Sequence, residues 1–349
     1  MDPLTHATLG VAVALAAASR STPKAAAALV GLAAGTLPDT DIFLSSATDP
    51  LFNLEYHRHF THSFLFSPII ALLGVGLGAL VLRLFRLKVA LGPLLIPSWL
   101  AGLSHLFCDL WTSYGTRVGW PFTTARSSLD WISVIDPLFT LPLLLLTLVA
   151  LIRGNARHAR QGLLWAALYL SCCALQHHRA STALDQWFAR NHPGPADRTA
   201  VHPSFGNILV WRGLLEKDGQ VTAVAIRCGL GTPLIFPGES ARIFNHPEQA
   251  IAHFQIDPTS LRARDVRRFF HFSANWVSTV AGETQTLGDL RYATLPDSLA
   301  PLWGIQISPG ETLPPVQWRQ FRTLDAATWN RFVGFILGDA SKATPPSSS

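Results

Sequence analysis

No charged side chain interrupts the chain between Phe64 and Leu82, and this nearly pure hydrocarbon run constrains the fold more than any other feature. A helix that crosses the ~30 Å hydrocarbon core of a bilayer needs about 20 predominantly apolar residues. Leu91–Leu110 is a second such run, although it carries His105 and Asp109. Shorter apolar segments lie around them: Ala7–Ser19, Ala25–Leu37, Pro137–Ile152 and Gly162–Leu175. Charged residues make up 14% of the 349-residue chain, against about 25% in a soluble domain, so much of the surface is expected to face lipid.

The net charge of +5 is spread along the chain. Scattered basic residues fit cytoplasmic connections of a membrane protein better than a nucleic-acid footprint, and no nucleic-acid partner is expected. Arg20 and Lys24, then Arg83, Arg86 and Lys88, then Arg153, Arg157 and Arg160 occupy alternate connections. If every apolar segment crosses, these connections share one side, which the positive-inside rule makes cytoplasmic. The opposite side then holds His6, the Asp39–Ser63 segment, the Trp111–Asp136 loop and the C-terminal part. Asp2 precedes the first apolar segment without a basic flank, so that segment is expected to be retained rather than cleaved. The cysteines Cys108, Cys172, Cys173 and Cys228 have neither zinc-finger nor disulfide-framework spacing.

From about His177 the composition turns polar. Asn207–Leu215 and Val221–Arg227 flank Lys217-Asp218-Gly219, a pattern that predicts a β-hairpin. Ser260–Phe272 reads as a helix, and Leu302–Ile307 and Val316–Phe321 read as strands. The expected organisation is a helical membrane domain over residues 1–180, a small soluble α+β domain over 181–343 and a disordered tail over 344–349. The fold class is mainly α, a polytopic helical membrane bundle followed by that smaller domain.

The membrane half carries His6, Asp39, Asp41, His57, His59, His62, His105, Asp109, Asp130 and Asp136. An ionised side chain in hydrocarbon costs at least a few kcal/mol, so such groups pair, line a wet cavity or bind a metal. His105 and Asp109 are one helical turn apart, and the pair fits either a shared divalent ion or an internal hydrogen bond. Asp39 and Asp41 follow Pro38, where they fit either a cation loop or a solvated helix end. His57, His59 and His62 fall within six residues, as metal ligands or as a wet turn. Arg58 could hold a phosphate. Asp136 precedes Pro137 and fits a helix cap as well as a ligand.

The strings DPLTHATLG, LPDTD, HRHFTHS, SHLFCDLWTSYGTRVGWPF and IDPLF resemble, in order and spacing, the YdjM-like family of membrane-bound metal-dependent hydrolases. That family is also described as LexA-binding and inner-membrane-associated. The resemblance covers about residues 1–180. NILVWRGLL and LGDLRYA resemble, less specifically, a C-terminal extension of some members. The resemblance assigns metal ligation to His6, Asp39, Asp41, His57, His62, His105, Asp109 and Asp136, and leaves His59 at a variable position. It also implies a distant similarity to zinc-dependent phospholipase C and P1-type nucleases. No second His-x-x-x-Asp/Glu pair occurs in the membrane half, so one or two ions, zinc above all, are expected rather than three.

The combined expectation is a multi-pass protein of the bacterial inner membrane, with the metal site and the C-terminal domain on the periplasmic side. A metal-activated water would attack an ester, above all a phosphoester of a lipid or lipid-linked substrate. Asp41 or Asp136 would accept the proton, and Arg58 or Arg117 would neutralise substrate oxygens. The alternatives are a metal-stabilised scaffold or regulator that binds a protein partner, and an ion transporter. The last would need charges in a row across the membrane rather than at one face.

Overall fold

The computed structural model of the chain describes residues 1–310, 314–321 and 325–339; the tail expected at 344–349 lies outside them. The chain divides into two compact units, one of residues 1–44 and 56–173, the other of residues 45–55 and 174–349.

The first unit is helical: α1 (Pro3–Ala17), α2 (Lys24–Thr36), α4 (Ser67–Leu84), α5 (Leu95–Leu110) and α6 (Pro137–Ile152), with the N-terminal half of α7 (Ala156–Asn191). A short helix α3 (Phe52–Tyr56) lies in the connection between α2 and α4. Asp2 caps α1 by accepting from the amides of Leu4 and Thr5, and Pro3 starts the helix where its missing N–H costs nothing. Small residues let α1 and α2 approach closely. A Cβ on Gly10 would lie 2.5 Å from the Gly31 carbonyl oxygen and 2.9 Å from the Gly35 Cα. Close backbone approach of this kind holds helices together in lipid, where hydrophobic burial between them contributes little.

Helices α4 and α5 pack antiparallel. Ser98 donates to the Ala71 carbonyl, Trp99 donates to Ser67, and the rings of Phe64 and Phe107 meet at 5.8 Å. Ala14, Ala34, Ile70 and Ala101 form one buried cluster, and Ala26, Val30, Val75, Leu82 and Leu94 another. The outward faces are apolar as well. Leu72, Leu73, Leu77 and Leu80 on α4 and Leu141, Leu145 and Leu148 on α6 are exposed. An apolar face of that extent fits hydrocarbon rather than water.

Among the described residues, two segments are long and apolar enough to cross a membrane, Ser67–Leu84 and Gly92–Leu110. At 1.5 Å per residue the 15 residues of α1 reach only ~22 Å and the 13 of α2 only ~20 Å, short of the hydrocarbon core. A helix ending near Leu175 is replaced by a longer one. α7 runs on to Asn191 because Gln176–Arg190 contains neither proline nor glycine, and Pro193-Gly194 then stops it.

Among the described residues, the second unit holds two four-stranded antiparallel sheets. One has the order β1 (Arg198–Pro203), β2 (Val210–Lys217), β3 (Gln220–Arg227), β4 (Leu234–Arg242). The other has the order β5 (Val277–Thr279), β6 (Thr286–Asp289), β7 (Trp303–Ile307), β8 (Val316–Gln320). The hairpin turn between β2 and β3 is Asp218-Gly219, at φ 51° and 72°, the pair of positive angles that a tight two-residue hairpin demands. Ala180, Leu184 and Phe188 of α7 pack on Val201, Trp211, Leu215, Val224 and Ile226. Helices α8 (Pro247–His253), α9 (Leu261–Phe272) and α10 (Ala326–Leu337) complete the unit.

Candidate metal centre

Four pieces of the first unit converge on one point. α1 brings His6, the 3-10 turn Leu37–Phe43 brings Asp39 and Asp41, the turn Phe60–His62 brings His62, and α5 brings His105 and Asp109 one turn apart. His6, His62, His105 and Asp109 are fully buried. The Asp39 side chain keeps 23% exposure, the largest opening in the cluster.

The tautomers are fixed by the outer contacts. His105 Nδ1 lies 2.8 Å from the Gly35 carbonyl oxygen, which can only accept, so Nδ1 carries the hydrogen and Nε2 a lone pair. His62 Nδ1 faces Asp41 Oδ2 at 3.3 Å and Thr61 Oγ1 at 2.9 Å. The Thr61 hydroxyl donates to Asp41 at 2.8 Å, so it accepts from His62. Both Nε2 lone pairs therefore point at each other, 3.0 Å apart. Two lone pairs at that distance require a cation between them, a proton or a metal.

The other two donors complete a shell. Asp109 Oδ2 lies 3.2 Å from His62 Nε2 and 3.5 Å from His105 Nε2, and it is buried without a hydrogen-bond partner. Asp39 Oδ1 lies 3.3 Å from His62 Nε2 and 3.6 Å from His105 Nε2. Tetrahedral ligands at ~2.0–2.1 Å from zinc are about 3.3 Å apart, so separations of this size suit such an ion. His6, Asp39, His105 and Asp109 also form a group whose ligand atoms lie within 4.8 Å of one another. His6 stacks on His105 with ring centroids 3.7 Å apart, and its Nε2 lies 3.1 Å from Asp109 Oδ1. That carboxylate oxygen also accepts from the Met1 amine and from Arg58.

A second group shares Asp39. Asp39, Asp41 and His57 hold ligand atoms within 4.8 Å of one another. Asp41 accepts from His57 Nδ1 at 2.7 Å and from the Arg58 amide at 3.0 Å, besides Thr61 and His62. Arg58 has φ 61°, a left-handed backbone that is costly for a residue with a Cβ. Its amide bond to Asp41 and its carbonyl bond from the Arg117 amide (3.1 Å) hold it there.

Electrostatics follow from this packing. Burial pushes the Asp39 carboxyl up, but hydrogen bonds with His105 and His62 outweigh it and hold the group well below the usual carboxylate range. Asp41 is treated the same way: burial raises it, while His57 and His62 bring it down. Burial pulls His62 down, yet Asp109, Asp39 and Asp41 push it up to about 10.

Asp136, Arg58, Arg117 and His59 make other contacts. Asp136 caps α6 through the amides of Leu138 and Phe139 and accepts from the Tyr169 hydroxyl at 2.9 Å, so its described contacts are structural. Arg58 turns its guanidinium to Asp109 (3.0 Å) and Thr112 (3.0 Å), over the Tyr114 ring, rather than to an open face. Arg117 is buried, and its backbone supports Arg58. His59 lies against Trp120, with ring centroids 5.7 Å apart. Thr61 and the Gly35 carbonyl, which set the two tautomers, were not anticipated. Thr61 carried a weak signal, a hydroxyl beside a histidine of the cluster; a backbone carbonyl carries none.

The chain is 31% identical over 134 residues to Inner membrane protein YbcI of Escherichia coli (strain K12), covering 37% of this chain and 72% of YbcI. It is 31% identical over 143 residues to Uncharacterized protein YfhP of Bacillus subtilis (strain 168), covering 39% of this chain and 42% of YfhP. The chain thus spans about two-fifths of YfhP. No solved structure matches. The family model described as YdjM inner membrane protein matches residues 1–180, more than half of the chain and the whole of the His/Asp cluster, and the chain belongs to that family.

Proposed function

We propose that the first unit is a membrane-embedded metal-dependent hydrolase, acting on an ester and above all on a phosphoester of a lipid or lipid-linked substrate. The observation that carries the metal is the pair of imidazole Nε2 lone pairs 3.0 Å apart, flanked by an orphaned Asp109 oxygen and by Asp39. His62, His105, Asp109 and Asp39 would hold the ion. A divalent ion there supplies Lewis acidity and lowers the pKa of a bound water toward about 7.

The chain's own residues do the rest. Asp41 orients His62 from behind and also fixes His57 through Nδ1. That second contact leaves His57 Nε2 as the atom able to hold a proton, with Asp41 as its orienting carboxylate. Asp41 already accepts from four donors, and Asp136 from its cap and Tyr169, which leaves His57 the better proton acceptor. The shared Asp39 also permits a second ion at Asp39, Asp41 and His57, where His57 would be a ligand instead.

The basic connection Arg83–Lys88 lies at the end of the α4–α5 hairpin opposite to His62 and Asp109. With that connection cytoplasmic, the metal centre sits at the periplasmic face of the inner membrane. A lipid or lipid-linked substrate follows from this placement beside the exposed apolar faces of α4 and α6.

The test is metal analysis of the full chain purified in detergent, beside His62→Ala, His105→Ala and Asp109→Ala. At least one divalent ion per chain is expected, lost in each variant. Unchanged metal in all three rejects the centre. Hydrolysis of a phosphodiester probe that vanishes with the metal supports the enzyme. Full metal occupancy without hydrolysis favours the scaffold, a reading that the four protein donors themselves support.

A further inference from the structure

The two site residues Asp41 and His57 are joined by a segment that does not belong to their own unit. Residues 45–55 cluster with the second unit, whereas the chain on either side of them belongs to the first. Ser45 follows Asp41 by four positions, and Glu55 precedes His57 by two.

One side chain of the second unit grips this arm. Arg268 on α9 donates from Nη1 to Asp49 Oδ1 at 2.8 Å and from Nη2 to Asp49 Oδ2 at 2.9 Å, a two-pronged carboxylate contact. Its Nε donates to Glu55 Oε2 at 2.7 Å. Asp265, fully buried one turn earlier on α9, holds the guanidinium from the other side at 3.1 Å. Asp49 in turn accepts from the Leu51 amide at 3.0 Å, and Leu51 and Leu54 of the arm are buried. Burial works against the Arg268 charge, but Asp49, Asp265 and Glu55 outweigh it and hold it firmly cationic. A lysine would replace it only in part, because a point charge cannot satisfy the fork geometry at Asp49 and reach Glu55 as well.

We propose that Arg268 is a positioning residue for the metal centre: by holding Asp49 and Glu55 it fixes the middle and the C-terminal end of the Ser45–Glu55 arm, and so sets where Asp41 and His57 stand. The link runs through the chain itself. Asp41 is the carboxylate behind His62 and accepts the Arg58 amide, so an arm released at Glu55 loosens the backbone of His57 and Arg58 and with it the orientation of His62. The second unit is then a setter of metal affinity in the first. This rests on the metal reading above.

The experiment uses the full chain in detergent, with Arg268→Ala, Arg268→Lys, Asp41→Ala and the double variant Arg268→Ala/Asp41→Ala. Zinc affinity is read by chelator competition, and amide exchange of residues 56–60 is read in the metal-free protein. Loss of a partner behind a ligand costs about 10–100-fold in affinity, and Arg268→Ala should fall near tenfold, with Arg268→Lys between it and wild type. The double variant should bind no more weakly than Asp41→Ala alone, because Arg268 acts through Asp41. A merely structural Arg268 would give losses that add. Exchange at residues 56–60 should quicken in Arg268→Ala. Additive losses, unchanged affinity, or faster exchange confined to residues 45–55 would overturn the proposal. If Arg268→Ala does not fold, Arg268→Lys carries the same readouts. If the wild-type chain binds no zinc, the metal reading fails by itself, and the exchange at residues 56–60 still decides the role of Arg268.

Discussion

Zinc affinity should rise with pH in a way set by His62. In the metal-free protein three carboxylates carry this imidazole up to about 10, against an ordinary value near 6.5. The proton must leave before Nε2 can take a metal. At pH 7 the imidazole is therefore protonated, and displacing its proton weakens apparent affinity. Between pH 6 and 8 affinity should therefore climb about tenfold per pH unit for this one proton. Chelator competition at several pH values gives the slope, and calorimetry in buffers of different ionisation enthalpy gives the protons released on binding. The sign is the opposite for stability of the metal-free protein. A raised histidine stabilises fully below its unfolded value near 6.5, and that contribution is lost as pH rises through about 10. The metal-free melting temperature should fall at the alkaline end while that of the zinc-loaded protein does not. A flat affinity profile with no proton release would refute the reasoning, because it would mean that His62 is already neutral when the metal arrives.

Other perturbations separate packing from chemistry. Gly10→Ala would set a Cβ 2.5 Å from the Gly31 carbonyl oxygen and 2.9 Å from Gly35, contacts that force α1 and α2 apart. Overpacking of this kind costs about 1–3 kcal/mol, read as a lower melting temperature in detergent, and metal affinity should weaken as His6 moves. Asp136→Ala should leave metal content unchanged while removing the cap of α6 and the acceptor of Tyr169, a loss of about 1–2 kcal/mol read by the same melting assay. Metal loss without destabilisation in that variant would return Asp136 to the ligand set.

The site was legible where side-chain type and spacing carry the information. His105 and Asp109 lie one helical turn apart in any helix, and their convergence on one point follows from local geometry. The β2–β3 hairpin was legible for the same reason, since Asp218-Gly219 supplies both positive φ angles. Three-dimensional division of labour was not. Asp39 and Asp41 are near-identical in sequence, yet one faces the Nε2 pair and the other stands behind His62, a difference set by where the 3-10 turn meets the next loop. Arg58 read as a phosphate binder because its charge is visible and its partner Asp109, far along the chain, is not. The ambiguity at Asp136 between cap and ligand came from the same source, because Tyr169 lies on a distant helix. The membership of residues 45–55 in the second unit had no sequence signal, since it depends on Arg268, more than two hundred positions away.

Whether an ion held at this centre would do chemistry turns on one carboxylate. A structural zinc site is closed by four protein ligands, whereas a catalytic site keeps a place for water. His62, His105 and Asp109 are sealed, so any water must reach the ion past Asp39, whose side chain keeps 23% exposure, and beside His57, which keeps 18%. Asp39 is also the residue shared with the second group, so it is the ligand best placed to shift toward Asp41 and His57 and leave a position free. Cobalt in place of zinc makes this visible, because its absorption reports coordination number. Added inorganic phosphate should shift the spectrum of the cobalt-loaded chain if Asp39 yields a position, and Asp39→Asn should make the shift saturate at lower phosphate. A spectrum of four-coordinate cobalt that phosphate leaves untouched would show that the four donors close the ion off. The centre would then tie the turns Leu37–Phe43 and Phe60–His62 to α5 as a scaffold, and hydrolysis would have to be abandoned.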